Sequence, residues 1–296
     1  MAVITPGDDR RHVPGPAARP LWNESWWFPF YDPATTIGVV TRIGLLPMQR
    51  TANLWLLVTR AGTLVHDATA LALPLPAGDI DTGITVGGLS YQCLAPLERW
   101  RLRYASAAVE IDVEWRAFSP AHPWPVPPGA TLEDVQRHLE QSGWVSGRLR
   151  LGDEHLTIAR AHAHRDHSWG GERDWSKLHR WYYTSGELGD DLTFNAVKVW
   201  LAPDAFLTIG CLWDGREAMD ATELDVQGHL DATTGDHTGA LVTLRDARGR
   251  DWRFDGRVLA HCPVQIGPTR VDDGVSEFRS GDRVGYGIIE YGRQQR

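Results

Sequence analysis

Polar and apolar positions alternate with period two along most of the chain. Val109, Ile111, Val113 and Trp115 are separated by Glu110, Asp112, Glu114 and Arg116, the pattern of a half-buried antiparallel strand. Residues 148–158 place two alternating runs around Gly152 and Asp153, which predicts a hairpin. A second hairpin is predicted where residues 241–244 and 252–255 flank a polar turn. Two more strands, over 194–201 and 206–213, meet through Ala202, Pro203 and Asp204. Turn residues recur at short intervals, as an all-β sandwich or barrel requires. One segment reads differently. Thr131 as a cap, Asp134 three residues on, an apolar stripe of Leu132, Val135 and Leu139, and Gly143 as a stop predict one short helix. Five prolines between 120 and 129 precede it and suggest a linker. The expected organisation is an N-terminal extension over 1–20 that drapes over the surface, a β lobe over 21–140 and a second β lobe over 141–296.

Composition narrows the class. With 296 residues, 42% hydrophobic and 23% charged, the chain is an ordinary globular one that can bury one large core or two smaller ones. Thirty basic against 38 acidic residues give a net charge of −8, the wrong sign for a phosphate-binding surface, so nucleic acid is not the expected partner. No run of 18 uncharged apolar residues is present, so no membrane span is expected. Cys93, Cys211 and Cys262 lie far apart with no C-x-x-C pair, which argues for free thiols rather than a disulfide frame or thiolate zinc site. Arg10 and Arg11 are followed by no apolar run of the signal-peptide kind. The chain reads as soluble and cytoplasmic, with homo-oligomerisation left open. Tryptophan is the unusual count: 14 against 7 Tyr and 7 Phe, which suits wide cores or an aromatic-lined cavity. Core packing is the expected role of most of them. No G-x-S-x-G elbow, P-loop or dinucleotide fingerprint occurs, so serine hydrolase, NTPase and Rossmann oxidoreductase readings lack support.

The densest group of ionisable and aromatic side chains runs from His162 to Trp175. His162, His164, Asp166 and His167 form H-x-H-x-D-H, which resembles the metal-binding motif of the metallo-β-lactamase family and would imply a metal-dependent hydrolase. The β-hairpins around it and the 160 residues before it do not suit that family. A longer stretch points elsewhere. Arg165, Asp166, His167, Ser168, Trp169 and Gly170, followed by Arg173, Asp174 and Trp175, resemble the signature of the lipocalin-like carotenoid 1,2-hydratase/AttH superfamily. More narrowly, they resemble an uncharacterised bacterial branch with an RDHSWG-type signature. Residues 23–32 with 42–47, 138–143 with Gly147, and 285–292 extend the resemblance over roughly 20–292. His162 and His164 depart from it, standing where smaller residues are expected. The resemblance implies two lipocalin-like (calycin-type) antiparallel β-barrel or sandwich lobes, a small apolar substrate and no cofactor. The chemistry it implies is hydration or cyclisation of isoprenoid double bonds.

Fold alone does not fix chemistry, so the residues must carry it. Adding a proton to an alkene needs a shielded acid with an adjusted pKa. Asp166 and His167 are the first candidates, with His164 beside them, and Glu290 or Glu24 as other acids close to aromatics. On a strand, His162, His164 and Asp166 would share one face, and Arg165, His167 and Trp169 the other. Trp26, Trp27, Trp169, Trp175, Trp181, Tyr183 and Tyr291 are the candidate aromatic wall, able to stabilise a cation by about 1–2 kcal/mol per well-placed ring. The expected function is a lyase (hydratase) or an isomerase/cyclase acting on a C=C bond of an apolar, terpenoid substrate. The alternatives are a non-catalytic lipid or polyketide carrier, or the metal-dependent hydrolase through His162, His164, Asp166 and His167. Each signature residue also has a structural reading: Asp166 with Arg173 as a buried ion pair, His167 as a hydrogen-bonded core histidine.

Overall fold

The computed structural model describes residues 4–125 and 136–295. The chain divides into two compact units, Met1–Val58 with Val65–Arg173, and Thr59–Leu64 with Asp174–Arg296. Both are built almost wholly of antiparallel strands.

The first unit opens with β1 (Trp22–Asp32), β2 (Ile37–Leu46), β3 (Thr51–Arg60) and β4 (Thr63–Asp67). Five short strands follow: β5 (Ala70–Pro74), β6 (Ile84–Val86), β7 (Leu89–Ala95), β8 (Arg99–Ala105) and β9 (Val109–Ala117). It ends with β10 (His122–Pro123), β11 (Arg137–Leu151) and β12 (Glu154–Glu172). These form one curled 12-stranded sheet in the order β4-β3-β2-β1-β12-β11-β9-β8-β7-β6, with β10 on β11 and β5 on β3. The predicted alternation in β9 is real: Val109, Ile111, Val113 and Trp115 are buried, while Glu110, Asp112 and Arg116 are exposed. The hairpin predicted at Gly152 joins β11 to β12, with Gly152 at φ +57°, the left-handed turn geometry that glycine adopts without strain.

The second unit holds β13 (Arg180–Glu187), β14 (Thr193–Ala202), β15 (Ala205–Trp213), β16 (Ala218–Leu230) and β17 (His237–Asp246). It continues with β18 (Asp251–Ala260), β19 (Pro263–Ile266), β20 (Thr269–Ser280) and β21 (Arg283–Gln294). Strand β18 pairs with both β17 and β20, which closes an eight-stranded barrel, and β19 adds to β20. The hairpins predicted around 194–213 and 241–255 are β14–β15 and β17–β18.

Each unit has its own core. In the first, Trp26, Phe28, Trp100 and Trp115 pack with Ile43, Leu56 and Tyr91, all essentially inaccessible. A buried Trp removes about 150–250 Å² from water, a gross gain on the order of 4–6 kcal/mol each before entropy is counted. In the second, Phe194, Phe254 and Phe278 stack around Val242 and Ile289.

The predicted short helix is corrected where it can be seen. Its start, Thr131 to Val135, lies outside the described residues, but Leu139 and Gly143 belong to β11. Gly143 is no helix stop: a Cβ there would sit 2.4 Å from the Arg116 carbonyl and 2.5 Å from the Trp115 ring, so glycine lets β11 lie close on β9. Pairing along both edges of β11 outweighs a weak helical period. Among the described residues the only helical turns are three short 3-10 turns, Pro6–Asp9, Pro47–Gln49 and Trp175–Lys177. Within the N-terminal extension two residues reach inward. Asp8 and Asp9 are buried, because Asp9 meets a charge inside the first unit.

Candidate active site

Strand β12 lies between β1 and β11, so its residues can be placed against both neighbours. Trp27 and Glu140 flank Asp166; His167 sits between Trp26 and Leu139. The alternation therefore sorts the signature as its parity predicts. Arg165, His167 and Trp169 share the core-facing side with Trp26. His162, His164, Asp166 and Ser168 share the other with Trp27 and with His138, Glu140 and Ser142 of β11.

On the core-facing side, charges are closed off in pairs. Arg165 is fully buried; its Nη1 donates to Asp9 Oδ1 at 2.6 Å, and Nε and Nη2 donate to Gln141 Oε1 at 2.9 and 2.7 Å. Its guanidinium lies 5.1 Å from the Trp115 ring centre. Asp9 Oδ2 also accepts the Leu97 backbone N–H at 2.6 Å. Burial alone would raise the Asp9 carboxyl, but Arg165 outweighs it and holds the group below the usual range. Next to this pair, Glu24 Oε1 lies 2.8 Å from His12 Nδ1 and 3.1 Å from His167 Nε2, and both of its oxygens accept the His12 backbone N–H at 3.0 Å. His12 stacks on Trp169 at 4.7 Å, and His167 on Trp26 at the same separation. Burial pushes His167 below its ordinary pKa despite Glu24.

The other side is a network with one member left over. Glu140 is clamped by two imidazoles: His138 Nε2 at 2.6 Å from Oε1 and His164 Nε2 at 2.7 Å from Oε2. His138 Nδ1 reaches Ser168 Oγ at 2.6 Å, and His164 Nδ1 reaches Ser142 Oγ at 3.2 Å. Arg173 extends the chain by donating to Ser168 Oγ at 2.9 Å and to Gln136. Burial would raise Glu140, but the charges and hydrogen bonds of His138 and His164 win and hold it down at about 2. Asp166 behaves in the opposite way. The residue is half-buried, yet its Oδ1 is shut from solvent with no hydrogen-bond partner. Burial pushes its carboxyl up to about 6, with Glu140 adding to the rise against His138, Arg173 and Arg42. Arg42 lies across Trp27 from Asp166, its guanidinium 4.8 Å from the Trp55 ring centre. Trp27 presents its edge to His164, Trp124 packs on His138 at 3.9 Å, and Trp144 meets His162 edge-on at 4.8 Å.

The remaining predicted residues belong to the second unit. Trp175 stacks on Trp181 at 5.2 Å, and the Trp181 indole N–H donates to Glu290. Tyr183 pairs with Glu290 across β13 and β21, while Tyr291 faces that unit's core, stacked on Tyr182 at 4.7 Å.

The H-x-H-x-D-H tetrad does not assemble, since the strand sends His167 to the opposite face from His162, His164 and Asp166. Among the described residues, two other groups bring three metal-ligating atoms within 4.8 Å of one another: His12, Glu24 and His167, and His237, His261 and Asp272. Two cavities, of about 810 Å³ beside Tyr104, Ile111 and Arg148 and about 410 Å³ beside Asp214, Arg248 and Arg283, contain none of the predicted residues. Glu140, His138, Asp9 and His12 were not singled out from sequence as site residues. The alternation of His138, Glu140 and Ser142 was a readable signal for the first two.

The fold of two curled antiparallel β units is shared with several solved structures. The AttH-like protein NE1406 of Nitrosomonas europaea superposes with a TM-score of 0.67 at 13% identity, over 98% of this chain and 99% of that one. Kievitone hydratase of Nectria haematococca gives 0.64 at 14% identity over 92% and 89%, and CghA with Sch210972 gives 0.64 at 11% over 93% and 89%. At these identities the likeness shows the fold. No curated protein matches the chain by sequence. The chain belongs to the DUF7064 family, a domain of unknown function, whose sequence profile matches residues 5–295. No helix among the described residues is long and apolar enough to cross a membrane.

Proposed function

We propose that the chain is a lyase (hydratase) or an isomerase/cyclase that protonates a C=C bond of an apolar, terpenoid substrate, with Asp166 as the acid. The observation that carries this reading is the Asp166 carboxyl, held up at about 6 with an unpartnered, shielded oxygen beside Trp27. A carboxylic acid in that range is half protonated near pH 6 and about one-tenth protonated at pH 7, far more than an ordinary aspartate, so a fraction of it is available as a proton donor. Protonation of the alkene carbon leaves Asp166 as a carboxylate and forms a carbocation, which the Trp27 face stabilises by about 1–2 kcal/mol when desolvated. In the hydratase version, water adds to the cation and its extra proton returns to Asp166, so the acid is regenerated. In the isomerase or cyclase version, a carbon-bound proton is returned instead.

His164 and His138 fix Glu140 as an anion, which adds to the rise that burial gives Asp166; His164 is thus a positioning residue. His167 acts from the core-facing side, by tying Glu24 and the N-terminal arm to β12. Glu290 is the weaker acid candidate, because it accepts the Trp181 indole N–H. Trp26, Trp169 and Tyr291 serve packing, and Trp27 is the aromatic candidate for contact with a substrate at Asp166. The fold shared with kievitone hydratase supports the hydratase version. We place the protein in the cytoplasm, in keeping with three widely spaced cysteines that include no C-x-x-C pair.

The test uses the purified chain with a panel of linear terpenoid alkenes and prenylated phenols in deuterated water. A product carrying one new carbon-bound deuterium is expected, with Asp166→Asn slower by about 10²–10⁴-fold. Equal turnover by Asp166→Asn contradicts the assignment. Tight binding with tryptophan quenching and no product would make the chain a lipid or polyketide carrier.

A further inference from the structure

We propose that His237, His261 and Asp272 form a binding site for one divalent transition-metal ion, with zinc as the occupant. The three come from separate parts of the second unit: His237 opens β17, His261 lies between β18 and β19, and Asp272 is on β20. Sequence spacing does not group them. The folded chain brings one ligating atom from each within 4.8 Å of the others.

His237 carries the argument. Its side chain is fully buried, and Nε2 lies 2.7 Å from the Ile289 carbonyl oxygen. A carbonyl only accepts, so Nε2 bears the hydrogen and Nδ1 is left with the lone pair. That Nδ1 is buried and has no hydrogen-bond partner. It is aimed at Asp272 Oδ2, 4.0 Å away, which is too far for a hydrogen bond. An imidazole fixed by one N–H to a backbone carbonyl, with the other nitrogen open, is how metal-ligating histidines are held. Gly274 makes the placement sterically feasible, since a Cβ there would lie 2.5 Å from His237 Nε2.

The other two donors fit the same ion. Asp272 is buried; Oδ1 is fixed by the Cys262 backbone N–H at 3.0 Å, leaving Oδ2 toward the histidines. His261 Nδ1 is 3.0 Å from that oxygen, and its ring stands edge-on to His237 at 5.0 Å between centres. A tetrahedral zinc with bonds near 2.0–2.1 Å holds its donors about 3.3 Å apart, between the two observed spacings. Two imidazoles and one carboxylate suit zinc and its first-row neighbours better than magnesium or calcium, which prefer all-oxygen sites. His261 is 40% exposed, so a fourth position opens to solvent. Arg270 approaches Asp272 Oδ2 at 3.6 Å, but it also reaches Asp236 Oδ1 at 3.4 Å and has that carboxylate to hold it when a cation enters.

The test is a cobalt(II) titration of the full chain after chelator treatment, followed in the visible spectrum and finished by zinc displacement. Wild type is expected to bind one cobalt per chain with the intense bands of low coordination, which zinc abolishes. His261→Ala, at a partly exposed position that leaves the core intact, should weaken binding by about 100-fold or more, and Asp272→Asn should do the same. His12→Ala, in the other histidine–carboxylate group, should leave it unchanged. Absence of the bands, equal affinity in His261→Ala, or loss in His12→Ala instead would overturn the proposal.

Discussion

Arg165 points into the core of the first unit and satisfies its guanidinium with Asp9 and Gln141, whereas Asp166, the next residue, faces the other side of the strand with an unpartnered carboxyl oxygen. One side of β12 uses charge to fasten the chain to itself. The other leaves a carboxyl oxygen unpartnered beside an anion that is itself fully bonded. A strand allows this because adjacent side chains see different surroundings, so one short motif can serve anchoring and chemistry at once. What distinguishes the two faces is whether each charged group has all its partners.

The comparison can be broken at several points. The largest effect should come from Asp166→Asn, which removes the proposed acid while keeping its shape; turnover falls as stated with no loss of stability at neutral pH. Arg165→Ala should do the reverse. It strands Asp9 without its cation, and denaturant unfolding should show a loss of about 3–5 kcal/mol, the usual consequence of halving a buried pair. An equally large stability loss in Asp166→Asn would erase the distinction between the faces.

Stability against pH sharpens the same contrast. The folded pKa of Asp166, about 6, lies above its ordinary 3.8, so folding favours the protonated form. That contribution is complete below pH 3.8 and is lost as pH rises through 6. Wild type should therefore lose stability relative to Asp166→Asn between pH 4 and 6, by on the order of 1–3 kcal/mol, in parallel urea titrations. A constant difference across that window would contradict the raised value. Glu140→Gln removes the anion that helps to raise Asp166 and should lower its midpoint by about one unit. The smallest effect is expected from His12→Ala, about 1 kcal/mol or less, since its ring is partly exposed.

Much of this was legible in the sequence. The strict alternation in β9 and the Gly152 turn of β11–β12 are local signals, and the sheet kept them. The parity of 162–169 on β12 followed from the same rule. The helix expected to end at Gly143 failed because a weak 3.6-residue period competed with strand pairing along both edges of β11, which no local window shows. Asp9 was invisible as a core residue, since only contact with Arg165, 156 positions away, makes its burial tolerable. Glu140 and His138 stood on one parity in a segment read as helical, so the wrong period hid the right pairing. Asp166 itself was identifiable as chemistry-bearing, but its raised pKa depends on Glu140 and on burial that only the folded sheet supplies.

The central claim is that the Asp166 carboxyl is raised to about 6, so that a usable fraction of it carries a proton near neutral pH. Carbon-13 NMR of side-chain carboxyls in the aspartate-labelled full chain, with Asp166→Asn to assign the resonance, measures this directly. The account predicts one aspartate titrating with a midpoint near 6 that disappears in the variant. A midpoint in the ordinary aspartate range, near 3.9, would leave only about one molecule in a thousand protonated at pH 7 and contradict the role of Asp166 as the acid.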